Sequence, residues 1–300
     1  MTTLARRDTH TSGQRRNVRK RRALLLLAKP KALVGLVLVG LVVLIGIGAP
    51  FVITEEMTTR IDITARLSGP SLAHPLGTDQ LGRDLLYRVL LGARTSLQVS
   101  LAAVLLSLIL GLPVGVAAGY YRGGLDLTLM RVVDALLSFP VLLLALTISA
   151  VLGPSVRNAS LAIGIAFAPY LARIVRSETL KVSNLPYVEA ARALGASHLR
   201  IIGRAVMPNI MAPLIVQTTI SVAFAILAEA GLSFLGLGTQ PPTPSWGLMI
   251  QASRDYLDIA PWTALVPGGA VALTVLGLNM LGDVLRDILD PTFNIEGAGT

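Results

Sequence analysis

Residues 187–208 read YVEAARALGASHLRIIGRAVMP. The stretch is polar and helix-forming, with Glu189, Arg192, His198, Arg200 and Arg204 spread among alanines, yet strongly apolar stretches flank it on both sides. Charged side chains are costly inside a bilayer, so a helix of this kind between apolar ones needs water or a soluble partner to press against. The rest of the chain fits that setting. Of 300 residues, 53% are hydrophobic and 14% charged, against roughly 25% charged in a typical soluble domain, and the mean hydropathy is +0.68. A soluble fold cannot hide that much apolar surface.

Working outward from this stretch, six apolar segments approach or exceed the ~20 residues that cross a bilayer. They are 32–53, 97–121, 132–152, 161–175 with its flanks, 210–237 and 262–282. The chain therefore reads as an all-α membrane protein with six transmembrane helices. The first segment is longer than the apolar region of a signal peptide and follows a long basic leader, so it reads as a retained anchor. The division expected is a basic cytoplasmic tail (1–31), the first span with an extracytoplasmic segment (32–94), a core of five spans (95–290) and a C-terminal tail (291–300).

Basic residues set the orientation. Ten of the 26 Lys and Arg residues precede Ala32, beside the first apolar run, so the net charge of +9 reads as a membrane flank and not as a nucleic-acid surface. With six spans, nineteen fall on the face of the termini and the Glu189 loop, and seven on the other (Arg60, Arg66, Arg83, Arg88, Arg94, Arg157 and Arg254). The excess places both termini and the Glu189 loop in the cytoplasm.

Within the segments, a few residues stand out. Gly111, Gly115 and Gly119 recur every four residues around Pro113, a pattern that permits close helix approach or a bend that moves in gating. Residues 78–91 read as a short surface helix capped by Thr78. Glu229 sits in the fifth span, where a charge costs about 2.5–3.5 kcal/mol or more; it is expected to line the pathway or hold a helix contact. Asp134 is expected to pair with Arg131, three residues away. Asp283, Asp287 and Asp290 share a face near the chain's end and call for a basic partner such as Arg173 or Arg176. With no cysteine and no histidine beside these carboxylates, no metal site is expected. The proline-rich run 238–247, GTQPPTPSWG, reads as a stiff outward loop, and Pro241, Pro242 and Trp246 are candidates for contact with an extracytoplasmic binding protein.

The loop 172–209, ARIVRSETLKVSNLPYVEAARALGASHLRIIGRAVMPN, resembles the EAA loop of ABC-importer permeases of the dipeptide and oligopeptide family. HPLGTDQLGRDLLYRVLLGARTSL, DALLSFP, EAGLSFLGLGTQPPTPSWG and NMLGDVLRDILDP, in this order, resemble further segments of the same family. The resemblance implies a type I importer fold in which a coupling helix docks on an ATPase through Tyr187, Glu189, Ala190, Ala191, Arg192, Gly195, Ala196 and His198. It also implies a bacterial plasma-membrane complex of this chain with a second permease, for which the resemblance favours a distinct homologue, two ATPase subunits or one fused ATPase, and a binding protein. ATP and Mg would sit on the partner subunits, for this chain has no G-x-x-x-x-G-K-[ST] loop and no cofactor of its own is expected. Ala205 and Met207 depart from the family's larger aliphatic residue and leucine, but both stay apolar. The cargo class implied is short peptides; relatives of similar sequence also serve nickel chelates, haem and other solutes. Two rivals of other classes remain. One is an enzyme, for which the sequence offers neither H-E-x-x-H nor a complete G-x-S-x-G. The other is an ATP-independent secondary transporter, which would have no use for the docking helix.

Overall fold

The computed structural model describes residues 30–289, and all its regular structure is helical. In chain order the helices are α1 Pro30–Val52, α2 Glu55–Thr59, α3 Leu85–Tyr121, α4 Gly123–Leu137, α5 Val141–Leu152, α6 Val156–Ser183, α7 Pro186–Ala193, α8 His198–Ile201, α9 Met207–Phe234, α10 Trp246–Ser253 and α11 Trp262–Leu289. A π-helical turn, Ile202–Val206, joins α8 to α9 so that His198–Phe234 runs as one helix. This helix and α1, α3, α6 and α11 are long and apolar enough to span a membrane.

The third span, expected at 132–152, is broken. α4 and α5 meet at 84° across Ser138, Phe139 and Pro140. Pro140 supplies no backbone N–H and disfavours helical geometry in the residue before it, so the helix stops and restarts in a new direction.

α3 is the spine. It lies along α6 for most of their shared length, and the glycine stripe explains how. A Cβ at Gly111, Gly115 or Gly119 would meet the carbonyl oxygens of Ala168, Ala172 and Arg176 at 2.7, 2.5 and 2.7 Å. Side-chain-free positions let the two backbones touch, the close approach that the four-residue spacing predicts. α1 crosses α11 in the same manner, with Gly35 against Met280 and Gly277 against Leu38. Its other face exposes Leu44, Ile47 and Phe51, as a lipid-facing helix does.

Residues 78–84 do not begin a helix. Thr78 bridges to Asp84 in a tight turn, and Asp84 caps α3 by accepting from Leu86 N at 2.8 Å. Thr78 instead donates to the carbonyl of Ala65. The turn is held by Asp79, which accepts from the backbone N of Leu81 and Arg83 and from Arg83 Nε at 2.7 Å, while Arg88 Nε lies 3.5 Å away. Gly82 has φ +74°, outside the helical region, and a Cβ there would fall 1.7 Å from Asp62 O, so this turn is one that glycine alone fits. The pairs expected elsewhere are also redistributed. Asp134 bonds Arg173 and not Arg131, and Asp126 takes Arg176 in a two-pronged bond, so both arginines tie α4 to α6. Asp290 lies outside the described residues.

Candidate functional site

Two polar centres interrupt the apolar bundle. The first is the loop between α6 and α9. Pro186 opens α7 at its first turn, where its missing N–H costs nothing. The helix closes at Gly195, φ +76°, with Ala196 N donating to Ala191 O at 3.1 Å and Gly195 N to Arg192 O at 3.0 Å. This is the Schellman arrangement, which needs a residue free to adopt positive φ. A Cβ at Gly195 would meet nothing within 4 Å, so the glycine is there for its backbone and not for a close approach.

α7 has two faces. Val188 and Ile201 are buried beside Tyr120, Val182 and Val206, with Ala191 and Ala196 packed against that cluster. Tyr187, Glu189, Ala190 and Arg192 are exposed, as are Gly195 and His198. Leu194 and Leu199 are 88% and 80% exposed, two large apolar side chains presented by a polar loop. The loop is fastened from behind by α3. Tyr120 OH shares a hydrogen bond with His198 Nδ1 at 3.0 Å, Arg192 stands over the Tyr120 ring at 5.6 Å, and Arg122 Nη2 donates to Asn184 Oδ1 at 2.5 Å. Tyr120, Arg122 and Asn184 are absent from the sequence-based site; a lone tyrosine at the end of an apolar run carries no signal of its own.

The second centre surrounds Glu229, which is 0% exposed. Ser96 Oγ of α3 donates to Oε2 at 2.9 Å, Ser233 Oγ donates to Oε1 at 2.7 Å, and Thr239 Oγ1 approaches Oε1 at 3.5 Å. Ser233 Oγ also accepts from Thr239 N, and Ser96 Oγ from Trp246 N at 3.4 Å. The carboxylate thus clamps α3, α9 and the 238–247 loop together. Having no open side, it supports the helix-contact alternative and not a pathway lining. Trp246 requires a correction. It is 2% exposed, with Nε1 donating to Val89 O at 3.0 Å, so it anchors the loop from inside and offers no outward contact. Pro241 and Pro242 are exposed at the loop's tip. Asp134, the remaining candidate, is exposed and engaged with Arg173.

The class these features fit is a helical membrane protein that presents one exposed loop helix, fastened to its spine, outside the bundle. Residues 111–295 match the family described as the binding-protein-dependent transport system inner membrane component. The chain is 46% identical over 260 residues to the dipeptide transport system permease protein DppC of Alkalihalophilus pseudofirmus, covering 87% of this chain and 85% of the relative. It is 43% identical over 265 residues to the di/tripeptide transport system permease protein DppC of Pseudomonas aeruginosa, covering 87% and 88%. A solved structure of the MetNI methionine ABC transporter, in an inward facing conformation, superposes with TM-score 0.58 at 19% identity over 68% of this chain and 97% of its own; that likeness is one of fold. The chain belongs to this inner-membrane permease family. It is a transport subunit of an ABC importer and not an enzyme.

Proposed function

We propose that this chain forms half of a translocation pathway for short peptides delivered by an extracytoplasmic binding protein, and that separate ATPase subunits drive it through α7. The observation that carries the docking role is the two-faced construction of α7. Its inner face is fixed by Val188, while its outer face offers Glu189 as a charge and Ala190 as a low-profile contact, and Leu194 just past its end and Leu199 in α8 add unburied apolar side chains beside it. Exposed apolar groups rimmed by polar ones are what a partner surface covers. Alanine adds little bulk, so the helix can sit deep in a groove, with Glu189 meeting a basic group or backbone donors there.

The peptide class rests on the names of the relatives, both of which are permeases of dipeptide or di/tripeptide systems. The distribution of Lys and Arg supports cytoplasmic termini and a cytoplasmic α7 in a bacterial plasma membrane. In this reading a second, homologous permease supplies the other half of the pathway, ATP and Mg reside on the ATPase, and the exposed tip at Pro241 and Pro242 faces the binding protein.

The test is uptake into proteoliposomes holding the whole complex, using radiolabelled di-, tri- and pentapeptides with nickel-histidine and haem as competitors. Accumulation of one peptide size that requires ATP supports the proposal. Absence of peptide uptake, with ATP-dependent accumulation of nickel-histidine or haem when these are supplied labelled, moves the cargo to that solute, and accumulation without ATP contradicts the docking role.

A further inference from the structure

We propose that the end of α3, from Tyr120 to Arg122, receives the movement of α7 and passes it into the bundle, with Tyr120 as the positioning residue. The inference rests on the reading of α7 as the ATPase-docking element. The loop containing α7 is continuous in the chain with α6 and α8, and a pull on it would be expected to act on those helices. Tyr187 OH donates to Ala205 O at 3.4 Å in the turn before α9, but the other side-chain tethers go elsewhere. Arg122 holds Asn184 at the loop's first residue, and Tyr120 holds both Arg192 at the end of α7 and His198 at the start of α8. Beginning, middle and end of the loop are thus all fastened to one point on a third helix.

The backbone at that point is unusual. Arg122 has φ +58°, followed by Gly123 at φ +61°, and a non-glycine residue in the left-handed region is uncommon. This conformation ends α3 and carries the Arg122 guanidinium to Asn184. Tyr120 is 4% exposed and packs in one apolar cluster with Val116 of its own helix, Leu171 and Val175 of α6 and Val188 of α7, so its ring joins the bundle to the loop as well as its hydroxyl does. From Leu85 to Tyr121, α3 runs 37 residues without a break. Its glycine stripe rests on the α6 backbone, and Ser96 near its other end donates to Glu229. A displacement of α7 therefore has a rigid path along α3 to the outward clamp, where a slack loop would have absorbed it.

The test compares Tyr120→Phe, which keeps the ring under Arg192 but loses the His198 bond, with Asn184→Ala, which frees Arg122 from an exposed position. Arg122→Gly loses the same tether while suiting the positive φ. Each is assembled with its ATPase, second permease and binding protein in proteoliposomes, and the uptake of a radiolabelled tripeptide pool is divided by the ATP hydrolysed. The expected result is that the ATPase co-purifies with every variant, while uptake per ATP falls about fivefold, the factor that loss of one hydrogen bond of about 1 kcal/mol gives. Exchanging the pair, Tyr120→His with His198→Tyr, recovers most of the ratio. Glu189→Arg, run alongside, releases the ATPase. If Glu189→Arg releases the ATPase but the α3 variants keep the wild-type ratio, the receiver role is overturned and the docking role stands. If Tyr120→Phe itself loses the ATPase, the tether only shapes the docking surface and the proposal is again overturned. Retention of the ATPase by Glu189→Arg removes the docking role, and this proposal with it.

Discussion

Two glutamates mark two regions built on opposite principles. Glu229 is fully buried and surrounded by hydroxyl donors from two helices and a loop, so its surroundings have one arrangement that satisfies every group. Glu189 stands on an exposed helix whose neighbours Leu194 and Leu199 are left uncovered. A buried carboxylate whose donors have no alternative partners resists motion, because breaking any one bond strands a polar group at a cost of about 1–3 kcal/mol. An exposed glutamate beside uncovered leucines contributes little to the folded chain and is available to another one. The difference teaches where rigidity ends and partnership begins. The Ser96 end of α3 is locked, while its Tyr120 end holds, through a few tethers, an exposed helix with two uncovered leucines beside it.

The largest expected effect comes from Glu229→Leu. It leaves Ser96, Ser233 and Thr239 facing a side chain that accepts nothing, a loss of roughly 3 kcal/mol or more. We expect a large drop in melting temperature in detergent, read by fluorescence of Trp246, which sits in the clamp; Glu229→Gln, retaining one acceptor, should lose much less. Equal melting of Glu229→Leu and wild type would erase the contrast between the two ends.

Next, Gly115→Val sets a Cβ about where Ala172 O already lies, 2.5 Å away. Forcing α3 from α6 is expected to cost about 1–3 kcal/mol, as overpacking does. Because the contact lies between the two centres, this variant should lower both melting temperature and uptake. Gly195→Ala should act on one end only. Its positive φ costs about 1–2 kcal/mol for a residue with a Cβ, paid locally at the end of α7, so recovery of the ATPase should fall while melting changes little. Smallest is Arg173→Ala, which removes an exposed ion pair with Asp134 worth at most about 1 kcal/mol; melting should stay close to wild type.

Much of this was legible in the sequence, for identifiable reasons. Spans announce themselves because a bilayer demands long apolar runs, and the 111–115–119 glycine spacing encodes a close helix contact directly. The loop at Glu189 stood out because polarity between spans requires a cause. What escaped depends on long-range geometry. Asp134 had a nearer arginine in sequence, but Arg173 is nearer in space. Trp246 in a proline-rich loop looks like a surface anchor until Val89 O is found opposite its indole N–H. Residues 78–91 carry helical periodicity, yet Asp79 and Gly82, the latter at φ +74°, hold 78–84 in a turn and the helix begins only at Leu85. Tyr120 gains its role only because the fold brings residues 184, 192 and 198 to the end of α3.

The most direct test is to purify the complex in mild detergent from membranes carrying wild type, Glu189→Arg or Glu229→Gln, identify the co-purifying chains by mass spectrometry and melt each preparation. The account predicts that Glu189→Arg keeps the second permease and the melting behaviour of the bundle but loses the ATPase, whereas Glu229→Gln keeps the ATPase and melts earlier. An ATPase retained by Glu189→Arg, or a bundle that melts earlier in that variant, would contradict it.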